Sequence, residues 1–199
     1  GIKSQNNYYA GAEVHYAIQN IPEGKKKPLG TSDAILQAMD QYPILKRIQF
    51  SICNGDNLYS TTAMKLLRMK RKTPHATIGF ARTGMRFSNE RISKFAVISV
   101  DLQGYLEQII EKPDTKTIET FKDKLGETRL SMNIFSFDGK LIYPYLKNCP
   151  INIERGEKEL PEAVRRMIKD FPKQLFCFPL SEHLPDLTSA DDIKAFSLL

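Results

Sequence analysis

Short apolar runs typical of buried β-strands alternate along this chain with segments in which apolar residues recur at helical spacing. This alternation predicts an α/β layered fold, in which a sheet is covered by helices. The predicted strands span residues 14–18, 48–53, 76–82, 93–100, 105–111, 130–138 and 174–179, with a hairpin turn at 101–104. The predicted helices span residues 32–41, 61–71, 139 to about 146, 160–170 and 189–196, and Ser32 or Thr31 is the expected N-cap of the first.

The length and composition fit a single globular domain. With 199 residues the chain is long enough to bury a core, and a hydrophobic fraction of 41% is ordinary for a soluble protein. No apolar run approaches the ~20 residues that a membrane-spanning helix needs, so no membrane partner is expected. The three cysteines are odd in number and scattered, which favours a reducing, cytoplasmic location.

The net charge of +6 raises the question of a nucleic-acid partner. One basic cluster, at 25–27, lies among prolines and glycines typical of a loop, and the other, at 65–72, ends a predicted helix whose dipole it offsets. Aromatic and basic residues are not interleaved as they are in proteins that bind single strands. The charge therefore favours polyanionic small molecules such as nucleotides, and no nucleic-acid partner is expected.

The beginning of the chain lacks a feature that α/β nucleotide-binding folds usually have. Such folds open with a strand that leads into a glycine-rich, phosphate-binding turn. Residues 1–11 contain only Gly1 and Gly11, with no apolar strand before either. The expectation is that residues 1–199 form one domain that is missing its first strand, loop and helix.

A candidate metal ligand follows the predicted strand 48–53, which runs into Asn54-Gly55-Asp56-Asn57. Ligands bind at the carboxyl ends of strands in α/β proteins, and a Gly-Asp pair there allows close backbone approach and offers a hard oxygen to Mg²⁺. A plain turn is the alternative interpretation, and this motif alone does not separate the two.

Asp186 is the second candidate ligand. It follows the strand 174–179 and precedes the helix 189–196, so it also falls at a strand-to-helix edge. Mg²⁺ in nucleotide sites takes one or two carboxylates plus phosphate oxygens, which Asp56 and Asp186 could supply together. The neighbouring Asp191 and Asp192 have a simpler interpretation, since acidic residues favour a helix N-terminus.

Glu111-Lys112-Pro113 ends the strand 105–111, and Pro113 stops the ladder. An exposed Glu-Lys pair is usually a solvated strand end. A lysine held beside a metal site, however, is also a point charge suited to a phosphate.

From about Val14 to the C-terminus, the chain resembles the sugar-1-phosphate nucleotidyltransferases, because six short motifs occur in the order found in that family. They are Pro28-Leu29-Gly30-Thr31-Ser32-Asp33-Ala34, Asn54-Gly55-Asp56-Asn57, Glu111-Lys112-Pro113, Ser131-Met132-Asn133-Ile134-Phe135, Arg155-Gly156-Glu157-Lys158-Glu159 and Pro185-Asp186-Leu187-Thr188-Ser189. The resemblance implies a three-layer, Rossmann-like and glycosyltransferase-A-like mixed sheet with helices on both faces.

The resemblance also implies roles for individual residues. Asp56 and Asp186 correspond to the aspartates that hold Mg²⁺, and Lys112 to the lysine that contacts the phosphate of the sugar 1-phosphate. The substrate-binding residues are then Gln19, Gly30, Thr31, Glu111, Asn133 and Glu157. The last three match positions that hydrogen-bond sugar hydroxyls, whereas the first two match positions that meet the nucleobase.

The implied function is transfer of a nucleotidyl group from a nucleoside triphosphate to a sugar 1-phosphate, which gives a nucleotide-sugar and pyrophosphate. The family's glycine-rich loop, which grips the triphosphate, is absent, so this polypeptide alone is expected to be weakly active or inactive. The alternative is a catalytically silent, pyrophosphorylase-like module that binds a nucleotide-sugar. The choice of nucleotide and sugar stays open, as does the oligomeric state, a homo-oligomer included.

Overall fold

A mixed β-sheet forms the centre of the computed structural model, which describes residues 8–111, 113, 114, 118 and 120–187. The strands are β1 (Tyr8–Tyr9), β2 (Ala12–Glu13), β3 (Gln49–Ile52), β4 (His75–Ala81), β5 (Ala96–Val100), β6 (Leu106–Ile110), β7 (Arg129–Asp138) and β8 (Leu175–Leu180). The helices are α1 (Thr31–Gln41), α2 (Thr61–Arg68), α3 (Asn89–Ile92), α4 (Gly139–Lys147) and α5 (Leu160–Asp170). Short 3₁₀ turns span Pro43–Lys46 and Arg82–Gly84.

The six-stranded sheet has the order β6-β5-β7-β4-β8, and β3 pairs with β7 beside this path. β4 and β8 run parallel, whereas the other pairs are antiparallel. β1 and β2 form a separate two-stranded hairpin. The sheet is therefore mixed, as predicted.

Helices cover both faces of this sheet. On one face, α1, α4 and α5 pack in a core that includes Met39, Ile142, Leu146, Val164, Met167, Phe135 and Phe137. On the other face, α2 and α3 pack in a core that includes Ala63, Leu67, Ile92, Leu130 and Ile134. Alternate residues of β7 enter the two cores, as the two-residue period of a strand requires. The predicted three-layer α/β architecture is confirmed.

Most of the predicted elements lie where the apolar patterns place them. The hairpin of 93–100 and 105–111 is present as the antiparallel pair β5–β6, and the helix 160–170 is present as α5, with Pro161 in its first turn. The predicted helix 189–196 lies outside the described residues. Among the helices that the structure describes, none is long and apolar enough to cross a membrane.

The predicted strand at residues 14–18 is wrong, because this segment joins no sheet in the structure. Side-chain amides of α1 take the place of a neighbouring strand. Gln41 donates to the carbonyl of Ile18 (2.8 Å) and accepts from its N–H (3.0 Å), and Gln37 accepts from the N–H of Asn20 (2.8 Å). The polar backbone groups of Ile18 and Asn20 thus form hydrogen bonds with side chains and not with a neighbouring strand. The local apolar pattern of the sequence does not reveal this arrangement.

His75 is a buried titratable group at the start of β4, with 1% of its surface exposed. Its Nδ1 accepts a hydrogen bond from the N–H of Asp138 (3.3 Å), and its ring lies edge-on to Phe137. Burial disfavours the imidazolium and lowers the pKa of His75 to about 4. The folded protein therefore holds this histidine neutral at every pH above that value.

This burial predicts a loss of stability in mild acid. Below pH ~6.5 the unfolded chain binds a proton at His75, whereas the folded state does not. The free energy of unfolding therefore falls by about 2 kcal/mol between pH 7 and 4.5. Urea unfolding at the two pH values measures this loss. His75→Asn, which keeps an acceptor near Nδ1, should remove most of it, whereas the exposed-site control His15→Asn should not. An equal loss in His75→Asn would contradict the assignment.

Candidate functional site

A bulge interrupts β7 halfway along its length and opens a gap in the sheet. β5 pairs with residues 129–131 of β7 and β3 with residues 135–138, both on the edge opposite β4. The register of β4 against β7 shifts between Thr77 and Gly79, so residues 132–134 bulge out. Asn133, at the centre, has a φ of 51°, in the left-handed region that asparagine tolerates better than most residues. Bulges of this kind re-aim a side chain and are frequent beside functional sites.

A cavity of about 580 Å³, within the size range of small-molecule sites, lies beside this bulge. α1, β3 and the turn after β3 contribute most of its lining. Its polar lining residues include Thr31, Asn54 and Asn133. The Oδ1 atom of Asn133 is buried and accepts no hydrogen bond from any residue that the structure describes. Because an unpaired buried acceptor is costly, this atom is suited to a donor on a bound ligand.

Gly30 marks the start of α1, and the predicted N-cap is wrong. Gly30 is the N-cap, with a φ of 93°. A Cβ on Gly30 would lie 3.0 Å from both the Cβ of Glu157 and the carbonyl oxygen of Lys158, so close approach and backbone conformation both require glycine here. Thr31 instead uses its Oγ1 to accept from the N–H of Leu160 (3.1 Å). The Thr31 side chain therefore contacts α5 and does not cap α1.

Gln19 lies against this helix start with a fixed orientation. Its Nε2 donates to the carbonyl of Gly30 (3.0 Å) and to Oδ2 of Asp33 (3.0 Å). Both partners are acceptors, so the amide nitrogen, not the oxygen, must face them. Asp33 is buried and also accepts from Nε2 of Gln37 (2.8 Å). The Oε1 of Gln19 is consequently the part of the amide left to meet a ligand.

The loop that carries Glu157 is joined to the same helix start. Lys158 donates its N–H to the carbonyl of Leu29 (2.5 Å) and accepts from the N–H of Ser32 (3.0 Å). The side chain of Glu157 pairs with Lys27 (2.5 Å). The structure therefore brings Gln19, Gly30, Thr31 and Glu157 together at one end of α1.

The turn after β3 meets the chain near residue 186. Asn57 and Asp186 form an isolated antiparallel bridge, flanked by backbone hydrogen bonds from Leu58 to Pro185 (2.9 Å) and from Leu187 to Asp56 (2.8 Å). Asp56 is exposed, whereas Asp186 is buried, with 8% of its surface exposed. The two predicted metal-binding residues are thus brought next to each other by the backbone.

Asp186 has partners that the sequence did not indicate. Asn57 donates from Nδ2 to Oδ1 of Asp186 (2.9 Å), and Arg91 of α3 donates to its Oδ2 (2.9 Å) and backbone oxygen (2.7 Å). Tyr59 supports the turn, since its hydroxyl donates to the carbonyl of Met132 (2.6 Å) inside the bulge, and burial raises its pKa well above the usual range. These contacts tie the Asp56 turn to the bulge that holds Asn133.

One predicted residue does not join this group. Glu111, at the end of β6, lines a separate cavity of about 200 Å³ together with Glu159 and Arg165. Lys112 lies outside the described residues. Within the part of the chain that the structure describes, no group of three or more potential metal ligands occurs, so Asp56 and Asp186 are at most a two-carboxylate site.

Sequence reasoning missed Arg91, Asn57, Asp33 and Gln37. Asn57 adjoins the flagged Asp56, and Asp33 lies within a flagged motif, so position alone could have suggested them. Arg91 follows the capping residue Ser88 in a four-residue helix, and its partner is 95 residues away. No local spacing signals that contact.

Comparison with known proteins shows the fold and the family of this chain. The fold is similar to that of a protein assigned as a glucose-1-phosphate thymidylyltransferase from Bacillus anthracis, solved in complex with a sucrose, with a TM-score of 0.63. The similarity covers 98% of this chain and 67% of that chain at 16% sequence identity, so it is a likeness of fold. The family model described as nucleotidyl transferase matches residues 3–182. The chain belongs to this family, and the resemblance to sugar-1-phosphate nucleotidyltransferases is confirmed.

A curated relative is the bifunctional protein GlmU of Geobacillus thermodenitrificans, which is 24% identical over 154 residues. The match covers 77% of this chain but 30% of the relative. The chain thus spans less than a third of that protein's length.

Proposed function

We propose that this protein transfers a nucleotidyl group from a nucleoside triphosphate to a sugar 1-phosphate and releases pyrophosphate. The observation that carries the proposal is the cavity at the β7 bulge, which is lined by Thr31, by Asn133 and by the turn after β3. The Oδ1 of Asn133 has no partner among the described residues, and the same turn continues to Asp56, beside the bridge to Asp186. Family membership supports the reaction class.

In the proposed reaction, an oxygen of the sugar phosphate attacks the α-phosphorus of the triphosphate in line. The new phosphorus–oxygen bond forms as the bond to the β-phosphate oxygen breaks, and pyrophosphate leaves with the electron pair. Lys112 is proposed to hold the attacking phosphate, with Asn133 and Glu157 on the sugar hydroxyls. Glu111 has no role in this scheme, because it lines a separate cavity. Catalysis is then positioning and charge neutralisation, without a covalent intermediate.

The donor set near Asp56 fits Mg²⁺. Asp56 and Asp186 lie on paired backbone segments, and Asn57 and Arg91 hold the carboxylate of Asp186. Two carboxylates agree with the preference of Mg²⁺ for one or two such ligands, with phosphate oxygens completing the shell. Asp56 and Asp186 would hold the ion, which offsets the charge that develops on the transferred phosphoryl group.

At the start of α1, Gln19 is proposed to meet the nucleobase. Because its Nε2 is committed to Gly30 and Asp33, it offers the base an acceptor, Oε1. A base with an N–H on the facing edge, such as the imide of uracil or thymine or N1–H of guanine, is complementary to this atom. Asp33 and Gln37 are positioning residues in this scheme.

Asp33→Ala is expected to raise the KM for the nucleoside triphosphate about tenfold, with a much smaller effect on kcat, because one hydrogen bond to the base is lost. The Nε2 atoms of Gln19 and Gln37 both donate to Oδ2 of Asp33, so alanine removes the shared acceptor that fixes the amide of Gln19. Steady-state kinetics in the triphosphate measure the effect. Asp40→Ala, at an exposed aspartate of the same helix, is the matched control. An unchanged KM in Asp33→Ala would rule out the positioning role.

The proposed function is tested by assaying pyrophosphate release from the full-length protein with a panel of nucleoside triphosphates and sugar 1-phosphates. The expected result is release that requires both substrates and a divalent cation. Binding of a nucleotide-sugar without any release would instead favour a catalytically silent module.

A further inference from the structure

We propose that the guanidinium of Arg91 is a built-in counter-ion of Asp186 that a divalent cation must displace from Oδ2, so that Arg91 sets the cation affinity of the site. This inference rests on the proposed metal site and concerns a residue that the proposed reaction does not use.

The first support is the way in which both carboxylate oxygens of Asp186 are occupied. Asn57 donates to Oδ1 at 2.9 Å, and Arg91 donates to Oδ2 at 2.9 Å. The side chain of Asp186 is 9% exposed and that of Arg91 is 25% exposed. A buried carboxylate needs such a partner, and here the partner already carries a full positive charge.

The second support is electrostatic. A metal ion bound by Asp186 would sit within a few ångströms of the guanidinium, and arginine cannot lose its charge to relieve the repulsion. Asn57 is neutral and poses no such obstacle at Oδ1. A cation binding through Asp56 and Asp186 therefore competes directly with Arg91.

The third support is that Arg91 has anchors that survive its release from Oδ2. The same side chain donates to the backbone oxygen of residue 186 at 2.7 Å, and its guanidinium lies over the ring of Phe87, 4.6 Å from the centroid. A small shift can therefore free Oδ2 while Arg91 keeps its other contacts. The exchange of arginine for a metal is local and needs no rearrangement of the sheet.

The test is Mn²⁺ binding to the full-length protein, measured by the paramagnetic resonance signal of free Mn²⁺ and by calorimetry. Arg91→Met is expected to tighten Mn²⁺ binding about tenfold, because a like charge beside the site is removed. Arg91→Lys, which keeps the charge, should stay near wild type. Arg82→Met is the matched control, since Arg82 bonds to Asn89 of the same short helix. If Arg91→Met does not fold, Arg91→Gln keeps a donor without the charge.

The double variant Arg91→Met/Asp186→Asn separates this inference from the metal site itself. Loss of the tightening in the double variant supports competition at Asp186. Folded Arg91→Met or Arg91→Gln protein with unchanged or weaker Mn²⁺ binding overturns the role of Arg91. If Asp186→Asn alone binds Mn²⁺ as tightly as wild type, the proposed metal site is wrong, whatever Arg91 does.

Discussion

Asp56→Asn and Asp186→Asn should each lower the kcat of the full-length protein by roughly 10²–10³ at saturating Mg²⁺, because each removes a carboxylate that we propose as a ligand of the ion. The two variants should differ in stability. Asp56 is exposed, so Asp56→Asn should melt like wild type. Asp186→Asn leaves Arg91 without its carboxylate and should melt lower.

Pyrophosphate release and thermal melts, read together, check this prediction. Asp170→Asn, a helix-end aspartate bonded to Tyr145, is the control and should leave kcat unchanged. If a folded Asp56→Asn or Asp186→Asn protein keeps near-normal turnover, the metal assignment is wrong.

Gly139→Ala should lower the free energy of unfolding by about 3 kcal/mol or more, a large part of the 5–15 kcal/mol of a typical domain. Helix propensity alone predicts the opposite, because alanine in a helix is favoured over glycine by up to about 1 kcal/mol. A Cβ at Gly139, however, would lie 1.8 Å from the carbonyl oxygen of Leu45 and 3.0 Å from that of Ile48. These are backbone atoms, so no side chain can move aside.

Urea unfolding of Gly139→Ala beside Gly55→Ala separates the clash from the general effect of the substitution. A Cβ at Gly55 meets nothing within 4 Å, so Gly55→Ala should change stability by less than about 1 kcal/mol. Similar small changes in both variants would mean that α4 and the 3₁₀ turn at Pro43–Lys46 are not in close contact.

Elements that are buried on a continuous face could be predicted from the sequence. β4 is buried along its whole length, so it shows as an apolar run, and the predicted strand 76–82 differs from it by one residue at each end. α5 buries a regular stripe that includes Ala163, Val164 and Met167, and its predicted bounds match. In both elements the buried positions follow the regular spacing of the element, so the apolar residues in the sequence show the same spacing.

The parts that failed depend on contacts between distant residues. The segment 14–18 looked like a strand, but Gln37 and Gln41 serve the adjoining backbone from α1. The positions of Asp56 and Asp186 after predicted strands indicated that both belong to one site. Asn57 and Arg91 hold the carboxylate of Asp186, but these contacts depend on tertiary structure and cannot be predicted from the spacing of residues in the sequence.

The bridge between Asn57 and Asp186 has a consequence for synthesis of the chain. It joins residues 129 positions apart and encloses everything from α2 to β8. Closing so long a loop becomes favourable only once the intervening strands are in place. During synthesis, Asp56 leaves the ribosome long before Asp186, and the strands between them are made in the interval. A polypeptide that stops after β8 would keep these strands and lack Asp186, so the proposed metal site can form only after the sheet is complete.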